Sequence, residues 1–142
     1  MFADSIIPKN LINAYLETEY HVLGHPQFII RVGRVSSDLL EVHKRHQVDC
    51  SAFITAWNPY SQQCDDARNR ELQTALAKEL TNQGMHFIEG LGRHPSGNWG
   101  GEESYLFLGL TLDAAKVLGL TLQQNAIIWN GADGASQLIL LK

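Results

Sequence analysis

The spacing of apolar residues along the chain predicts four helices. Leu72, Leu76 and Leu80 recur every four residues, which is the spacing of one buried helical face. Asp38 stands three residues before Glu41, an arrangement typical of a capping box at the start of a helix. The segment NLINAYLETEY carries a similar apolar stripe, and LDAAKVLGL is a further short helical segment. These patterns predict helices over about 10–20, 38–47, 65–84 and 112–120.

Runs rich in β-branched and aromatic residues predict seven strands between these helices. The strands are predicted over 20–24, 27–33, 50–57, 85–90, 104–109, 125–129 and 136–141. The first two form a hairpin around Gly24, His25 and Pro26. The run CSAFITAW is apolar throughout, as expected of a central strand covered on both faces. The glycine-rich stretch 91–104 is predicted to be a long loop.

Hairpins favour antiparallel pairing, while the strand-helix-strand segments permit parallel pairing. We therefore predict an α+β fold, with a mixed or mainly antiparallel sheet carrying helices on one or both faces. A chain of 142 residues has the usual size of one domain, so residues 1–142 are predicted to form a single globular domain.

Composition and charge narrow the classes of function. Hydrophobic residues make up 44% of the chain and charged residues 18%, which is typical of a globular protein. The net charge of -4 leaves no basic stripe for a nucleic-acid backbone. No apolar run approaches the roughly 20 residues of a membrane helix, and no signal peptide is recognised at the start. We therefore expect a cytoplasmic protein with neither nucleic-acid nor membrane partners.

Polar residues cluster where the central strand leads into the long helix. Thr55 and Asn58 lie at the end of the strand, with Trp57 between them, and the helical stripe extended backwards lands on Asn69. A helix packed beside the strand brings Thr55, Asn58 and Asn69 into one neighbourhood. The alternative is structural: Asn58 with Pro59 forms a turn, Trp57 is a core residue, and Asn69 ties the loop down.

Two further pairs of polar residues stand at predicted strand starts. Of Glu102 and Glu103, one faces the fold and the other solvent, because side chains alternate along a strand. A carboxylate there can act as a general base, whereas the alternative is a solvated pair beside a turn. Gln124 and Asn125 are suited to gripping a ligand amide, sugar or base edge, or equally the backbone of a neighbouring loop.

The histidines and glycines do not complete a known metal or cofactor motif. His43 and His46 are three residues apart, but no cysteine or carboxylate at matching spacing completes a tetrahedral site. His94 lies in the predicted long loop and has no activated serine or cysteine pattern to serve. The glycines lack the order of a phosphate-binding fingerprint. We predict no metal and no cofactor.

Several short motifs occur in a recognisable order: TAWNP, an Asn in the following helix, NWGGEES and QQNAIIW. Their order and spacing resemble a bacterial family known as domain of unknown function 3293, over nearly the whole chain. Glu102 matches the acid of the motif, while Glu103 stands where the family often has proline, and this departure leaves open which of the two acids matters here. The resemblance implies that polar residues at strand ends form one site, and it implies no reaction. The other matching positions are Thr55, Asn58, Pro59, Asn69, Trp99, Ser104, Gln124, Asn125 and Ala126.

Three functions stay open. The first is a pocket at the strand ends for a small polar ligand, nucleotide-like or amide-bearing. The second is an enzyme with Glu102 or His94 as acid or base, and the third is a protein-interaction domain that uses the SQLILL strand as an exposed edge. The predicted ligand-binding residues are Thr55, Trp57, Asn58, Asn69, Trp99, Glu102, Ser104, Gln124 and Asn125.

Overall fold

The computed structural model describes residues 5–96 and 101–142, and within these ranges the chain forms four α-helices and seven β-strands. The helices are α1 (Lys9–Glu17), α2 (Ser37–Arg45), α3 (Asp66–Asn82) and α4 (Leu112–Thr121), with a 3-10 turn at Pro59–Ser61. The strands are β1 (Glu19–Val22), β2 (Phe28–Ile30), β3 (Ser51–Ile54), β4 (His86–Arg93), β5 (Glu102–Leu108), β6 (Ala126–Asn130) and β7 (Ser136–Leu140).

The strands form one sheet in the order β2-β1-β4-β5-β3-β6-β7. Every strand pairing in the described ranges is antiparallel. The predicted α+β fold and the hairpin of β1 and β2 are confirmed. The parallel pairings that the strand-helix-strand segments would permit do not occur among these strands.

The sheet is covered on both faces, as its central strand predicts. Side chains alternate along β3, so Phe53 faces α1 and α2 while Ala52 and Ile54 face α3 and α4. Ile12, Leu39 and Val42 from the first two helices belong to one core cluster, and Leu76, Leu80 and Ala115 from the last two belong to the other. All four residues of β3 are buried, which confirms the prediction from the run CSAFITAW.

The predicted long loop at 91–104 is partly wrong, because both flanking strands extend into it. β4 continues to Arg93 and β5 begins at Glu102, with Gly92 paired to Glu102. Glycine has a weak strand preference, which made this stretch resemble a loop. Gly90 is needed for packing, since a Cβ there would lie 2.5 Å from the ring of Phe53.

Two predicted element boundaries also need correction. The N-cap of α2 is Ser36, whose hydroxyl accepts a hydrogen bond from the Leu39 N–H at 3.1 Å, so Asp38 already lies inside the helix. A serine hydroxyl three residues before the bonded N–H fulfils the cap as well as a carboxylate would. β3 ends at Ile54 rather than at Trp57, and the released residues form part of the site described below.

β7 lies at one edge of the sheet, and some of its outward main-chain groups are already hydrogen-bonded. Gly33 donates to the main-chain oxygen of Ser136, and the Ser136 N–H donates to the oxygen of Arg34. The segment after β2 therefore covers the start of β7. Among the helices of the described ranges, none is long and apolar enough to cross a membrane.

Candidate functional site

The antiparallel order of the strands brings distant segments of the chain to one end of the sheet. β3 lies between β5 and β6 and runs opposite to both, so the end of β3 meets the starts of β5 and β6. The end of β4 lies beside the start of β5 for the same reason. Residues that follow β3, precede β6 or open β5 therefore lie close together.

Asn58 and Asn69 are joined by reciprocal hydrogen bonds. The Asn58 N–H donates to Asn69 Oδ1 at 2.8 Å, and Asn69 Nδ2 donates to Asn58 Oδ1 at 2.8 Å. Asn58 Oδ1 also accepts from the Cys64 N–H at 3.0 Å. The prediction that Asn69 points inward is confirmed, since its side chain is only 1% exposed. The two amides fix the start of α3 against the end of β3.

The turn after β3 is held in a conformation that few residues adopt. Asn58 has φ 48° and Tyr60 has φ 54°, both in the left-handed region. The Tyr60 N–H donates to the oxygen of Gln123, and Gln124 Nε2 donates to the oxygen of Trp57 at 3.3 Å. Such strain persists where surrounding contacts determine the backbone, as these cross-chain bonds do here.

Thr55 and Gln73 explain why β3 stops early. The Thr55 hydroxyl donates to the oxygen of Glu103 at 2.6 Å and accepts from the Trp57 N–H at 2.9 Å. Gln73 Oε1 accepts from the Ala56 N–H at 3.0 Å. These side-chain hydrogen bonds replace the main-chain hydrogen bonds that would have extended β3.

A cavity of about 760 Å³ opens at this end of the sheet, on the face covered by α1 and α2. Its volume lies within the usual range of small-molecule sites. The aromatic residues Tyr15, Tyr20 and Phe53 form part of its wall, and Arg70 of α3 lies at its rim. Seven of the nine predicted ligand-binding residues line it: Thr55, Trp57, Asn58, Asn69, Glu102, Ser104 and Gln124.

Glu102 lines this cavity with a carboxyl group whose pKa is raised by burial. Its Oε1 lies 3.4 Å from Asn58 Nδ2, a long hydrogen bond and the one side-chain bond of its carboxyl within the described residues. Burial raises the pKa of the Glu102 carboxyl to about 7, and the amide of Asn58 opposes this only in part. Glu103, by contrast, is exposed. Of the two neighbouring acids, Glu102 is the half-buried one.

Hydrogen bonds join the aromatic wall on α1 to β1 and to the residue before β6. The Tyr20 hydroxyl donates to the main-chain oxygen of Tyr15 at 2.7 Å, and the Tyr15 hydroxyl accepts from Asn125 Nδ2 at 3.3 Å. Burial raises the pKa of Tyr20, and the charge of Glu102 adds to this effect. Tyr20 therefore stays protonated, and its side chain in the cavity wall is uncharged.

His94 lies at the rim of the cavity and contacts two polar side chains. Its Nε2 lies 2.9 Å from Glu17 Oε2, and its Nδ1 lies 2.7 Å from Ser96 Oγ. Both ring nitrogens are thus engaged at the surface, which ties the end of β4 to the end of α1.

The remaining predicted residues take different places. Asn125 is buried but does not line the cavity, and Trp99 lies outside the described residues. His43 is buried with its Nε2 2.8 Å from Ser51 Oγ, whereas His46 is exposed. Within residues 5–96 and 101–142 no three His, Cys, Asp or Glu side chains come together in a group that could hold a metal ion.

Sequence reasoning missed Gln73 and the wall formed by α1. Asn69, Gln73, Leu76 and Leu80 are all buried, and their spacing of four, three and four residues is that of one helical face. This spacing could have indicated Gln73, but the interval of four between the leucines placed Leu72 on the buried face instead. Tyr15 belongs to the apolar stripe of the first predicted helix, and no local pattern indicates that it lines a cavity.

The arrangement offers hydrogen-bonding groups around an apolar interior. Asn69 and Gln124 are committed to main-chain and amide partners, so they shape the cavity. Glu102 and the amide nitrogen of Asn58 are two polar groups with spare capacity toward a ligand. Such a cavity can bind a ligand with N–H groups, or exchange a proton through Glu102.

A family model described as "Protein of unknown function (DUF3293)" matches residues 54–127. The match begins at the last residue of β3 and ends inside β6, so it includes the turn at Asn58, the start of α3 and the start of β5. No curated protein and no solved structure matches the chain.

Proposed function

The chain belongs to the DUF3293 family, whose function is unknown, and we propose that it binds a small polar ligand in the cavity at the strand ends. The observation that carries the proposal is the half-buried carboxyl of Glu102, which lines a cavity of about 760 Å³ and makes a single long hydrogen bond to the residues that the structure describes. Taking a carboxylate out of water is costly unless it gains partners, and a ligand with N–H groups would supply them.

The ligand that fits best carries an amide or a nucleotide-like base. A planar group of this kind offers N–H donors to Glu102 and an acceptor to Asn58 Nδ2. Trp57, Tyr15 and Phe53 line the same cavity and provide apolar surface for the faces of the ring. The rigid pairing of Asn58 with Asn69 would keep the polar groups in place before binding, which lowers the entropy cost.

Ligand binding is tested by two measurements on the purified chain. Mass spectrometry of small molecules released on denaturation would identify a ligand that copurifies, and a thermal-shift screen of nucleosides, bases and amides would find one that does not. We expect at least one compound to raise the melting temperature of the wild type and to lose most of this effect in Glu102→Gln.

Glu71→Gln is the matched control, because Glu71 is exposed on α3 and lies outside the cavity lining. It should keep the full shift. Asn58→Ala and Asn69→Ala should also lose the shift, through disruption of the turn. Uniformly absent shifts, together with no released ligand, would refute the proposal.

A second candidate function is acid or base catalysis by Glu102. A pKa of about 7 suits a group that must both take up and release a proton near neutral pH. His94 is a weaker candidate for this role, because its ring nitrogens contact Glu17 and Ser96 at the rim. Activity profiling of the wild type and Glu102→Gln against hydrolase and transferase substrates is the test, and identical profiles would remove Glu102 from a catalytic role.

A further inference from the structure

A second cavity of about 370 Å³ lies on the opposite face of the sheet, between α3 and strands β4 and β5. Strand alternation places Glu89 opposite Tyr105 and Leu91 opposite Glu103 on the face toward α3. On the helix, the residues facing them are Arg70, Gln73 and Thr74, three and four positions apart. The cavity therefore has one wall from the sheet and one from the helix.

Gln73 contributes a buried donor without a partner to this cavity. Its Oε1 accepts from the Ala56 N–H at 3.0 Å and lies 3.4 Å from the Thr55 hydroxyl, which fixes the orientation of the amide. The Nε2 atom is buried and has no hydrogen-bond partner among the described residues. A buried donor without an acceptor is destabilising, so an acceptor supplied by a ligand would be favourable here.

The charged groups of the cavity are separated between its two walls. Arg70 stands one helical turn before Gln73, so the helix wall carries hydrogen-bond donors. Glu89 and Glu103 lie on the sheet wall, and after burial their charges are the groups that raise the pKa of the Tyr105 hydroxyl. By the strand register, Glu89 and Glu103 lie on the same face of the sheet as Tyr105.

We propose that this second cavity binds an α-amino acid in its zwitterionic form, with an apolar side chain. Its carboxylate would accept from Gln73 Nε2 and the Arg70 guanidinium, and its ammonium would lie between Glu89 and Glu103. Leu23, Leu91 and Tyr105 provide the apolar surface for the side chain. A simple anion would be repelled by the two carboxylates, and a simple cation would leave Gln73 unpaired.

The probe is L-leucine, followed by NMR on the ¹⁵N-labelled chain through the side-chain NH₂ resonances of Gln73. We expect a saturable shift of these resonances, because a carboxylate acceptor changes the environment of Nε2 directly. N-acetyl-L-leucine and L-leucinamide each lose one of the two charges, so each should bind at least about tenfold more weakly.

Three variants test the assignment of the walls. Gln73→Glu keeps an oxygen for the Ala56 N–H but replaces the donor with an acceptor, and it should weaken leucine binding at least about tenfold. Arg70→Gln and Glu89→Gln change exposed side chains, so they test the site even where Gln73→Glu does not fold. The matched control is Arg68→Gln, since the Arg68 guanidinium forms an exposed ion pair with Glu71 and lies outside the lining of both cavities.

Several outcomes would overturn the proposal. One is the absence of any shift at ~10 mM leucine, alanine or phenylalanine, a concentration that would reveal even weak binding. Another is equal affinity for leucine and its two blocked forms. A third is unchanged affinity in both Arg70→Gln and Glu89→Gln. Loss of leucine binding in Glu89→Gln with thermal shifts at the first cavity retained would separate the two sites, since Glu89 lines only the second cavity whereas Arg70 lines both.

Discussion

Asn69 Oδ1 accepts the main-chain N–H of Asn58, and Asn58 Oδ1 accepts from Asn69 Nδ2, both at 2.8 Å. This closed pair joins a helix to the turn that follows the central strand. Since Asn58 has a left-handed backbone with φ 48°, the pair also holds a conformation that the chain would otherwise leave. Both stability and the shape of the cavity therefore depend on it.

Asn69→Ala should destabilise the chain by about 2–4 kcal/mol, because it leaves the Asn58 N–H and amide oxygen without their partner in a buried setting. Urea unfolding followed by tryptophan fluorescence measures this loss. Asn82→Ala is the matched control, since Asn82 is exposed at the end of the same helix and should change stability by less than about 0.5 kcal/mol. Equal effects of the two substitutions would contradict the role given to the pair.

The Glu102 carboxyl should make stability depend on pH near neutrality. Its pKa rises from 4.5 to about 7 on folding, so the folded chain holds the proton more tightly. The contribution of Glu102 to stability is then fully present below pH 4.5 and is lost as the pH rises through about 7. Glu102→Gln should remove this loss, gaining about 1–3 kcal/mol relative to the wild type between about pH 5 and about pH 8.

The measurement is the free energy of unfolding in urea at a series of pH values. Glu71→Gln, an exposed acid on α3, should leave the pH profile of the wild type unchanged. Parallel profiles for the wild type and Glu102→Gln would show that the carboxyl titrates normally in the folded chain.

His43 should make the chain sensitive to acid. Burial lowers the pKa of His43, the charge of Asp49 only partly offsets this, and Nδ1 has no partner among the described residues. The unfolded chain therefore takes up a proton first as the pH falls below 6.5, and stability falls from there toward the lowered pKa of the folded state. His43→Gln should flatten this slope, whereas His46→Gln, which changes an exposed side chain of the same segment, should keep it. If the slope disappears in His46→Gln instead, the assignment of the acid sensitivity to His43 is wrong.

Gly90→Ala should disturb the cavity as well as the sheet. A Cβ at Gly90 would lie 2.5 Å from Cε2 of Phe53 and 2.9 Å from the oxygen of His21, so the Phe53 ring must move. We expect a loss of about 2–4 kcal/mol in stability and weaker binding of any ligand of the first cavity, whose wall includes Phe53. At Gly92, two residues along the same strand, the nearest atom lies 3.9 Å away. Gly92→Ala should therefore cost little in a thermal denaturation, and an equal cost at both positions would contradict the packing argument.

Local patterns predicted the elements well, because they depend on residues close in the chain. The leucine spacing of α3 identified the helix and the inward position of Asn69, and the apolar run of β3 identified a strand buried on both faces. Polar residues at strand ends were also recognisable, since a strand that ends in an amide or acid is unusual for a buried element.

Features that depend on distant residues were not predictable from these patterns. The strand character of Gly92 comes from its pairing with Glu102 and from β1 on its other side. The bond between the Thr55 hydroxyl and the oxygen of Glu103 joins segments that only the sheet order brings together. Local propensity carries no information about such partners.

The position of β3 in the sheet bears on the order in which the chain folds. Its two neighbours, β5 and β6, both come later in sequence, with Ser51 paired to Leu108 on one side and to Asn130 on the other. Closing such long loops is costly in entropy, so we expect these contacts to form late during folding. The cavity would then be completed late as well, and we expect a bound ligand to slow unfolding far more than it speeds folding. Only molecules that have completed their folding would then bind the ligand in this cavity.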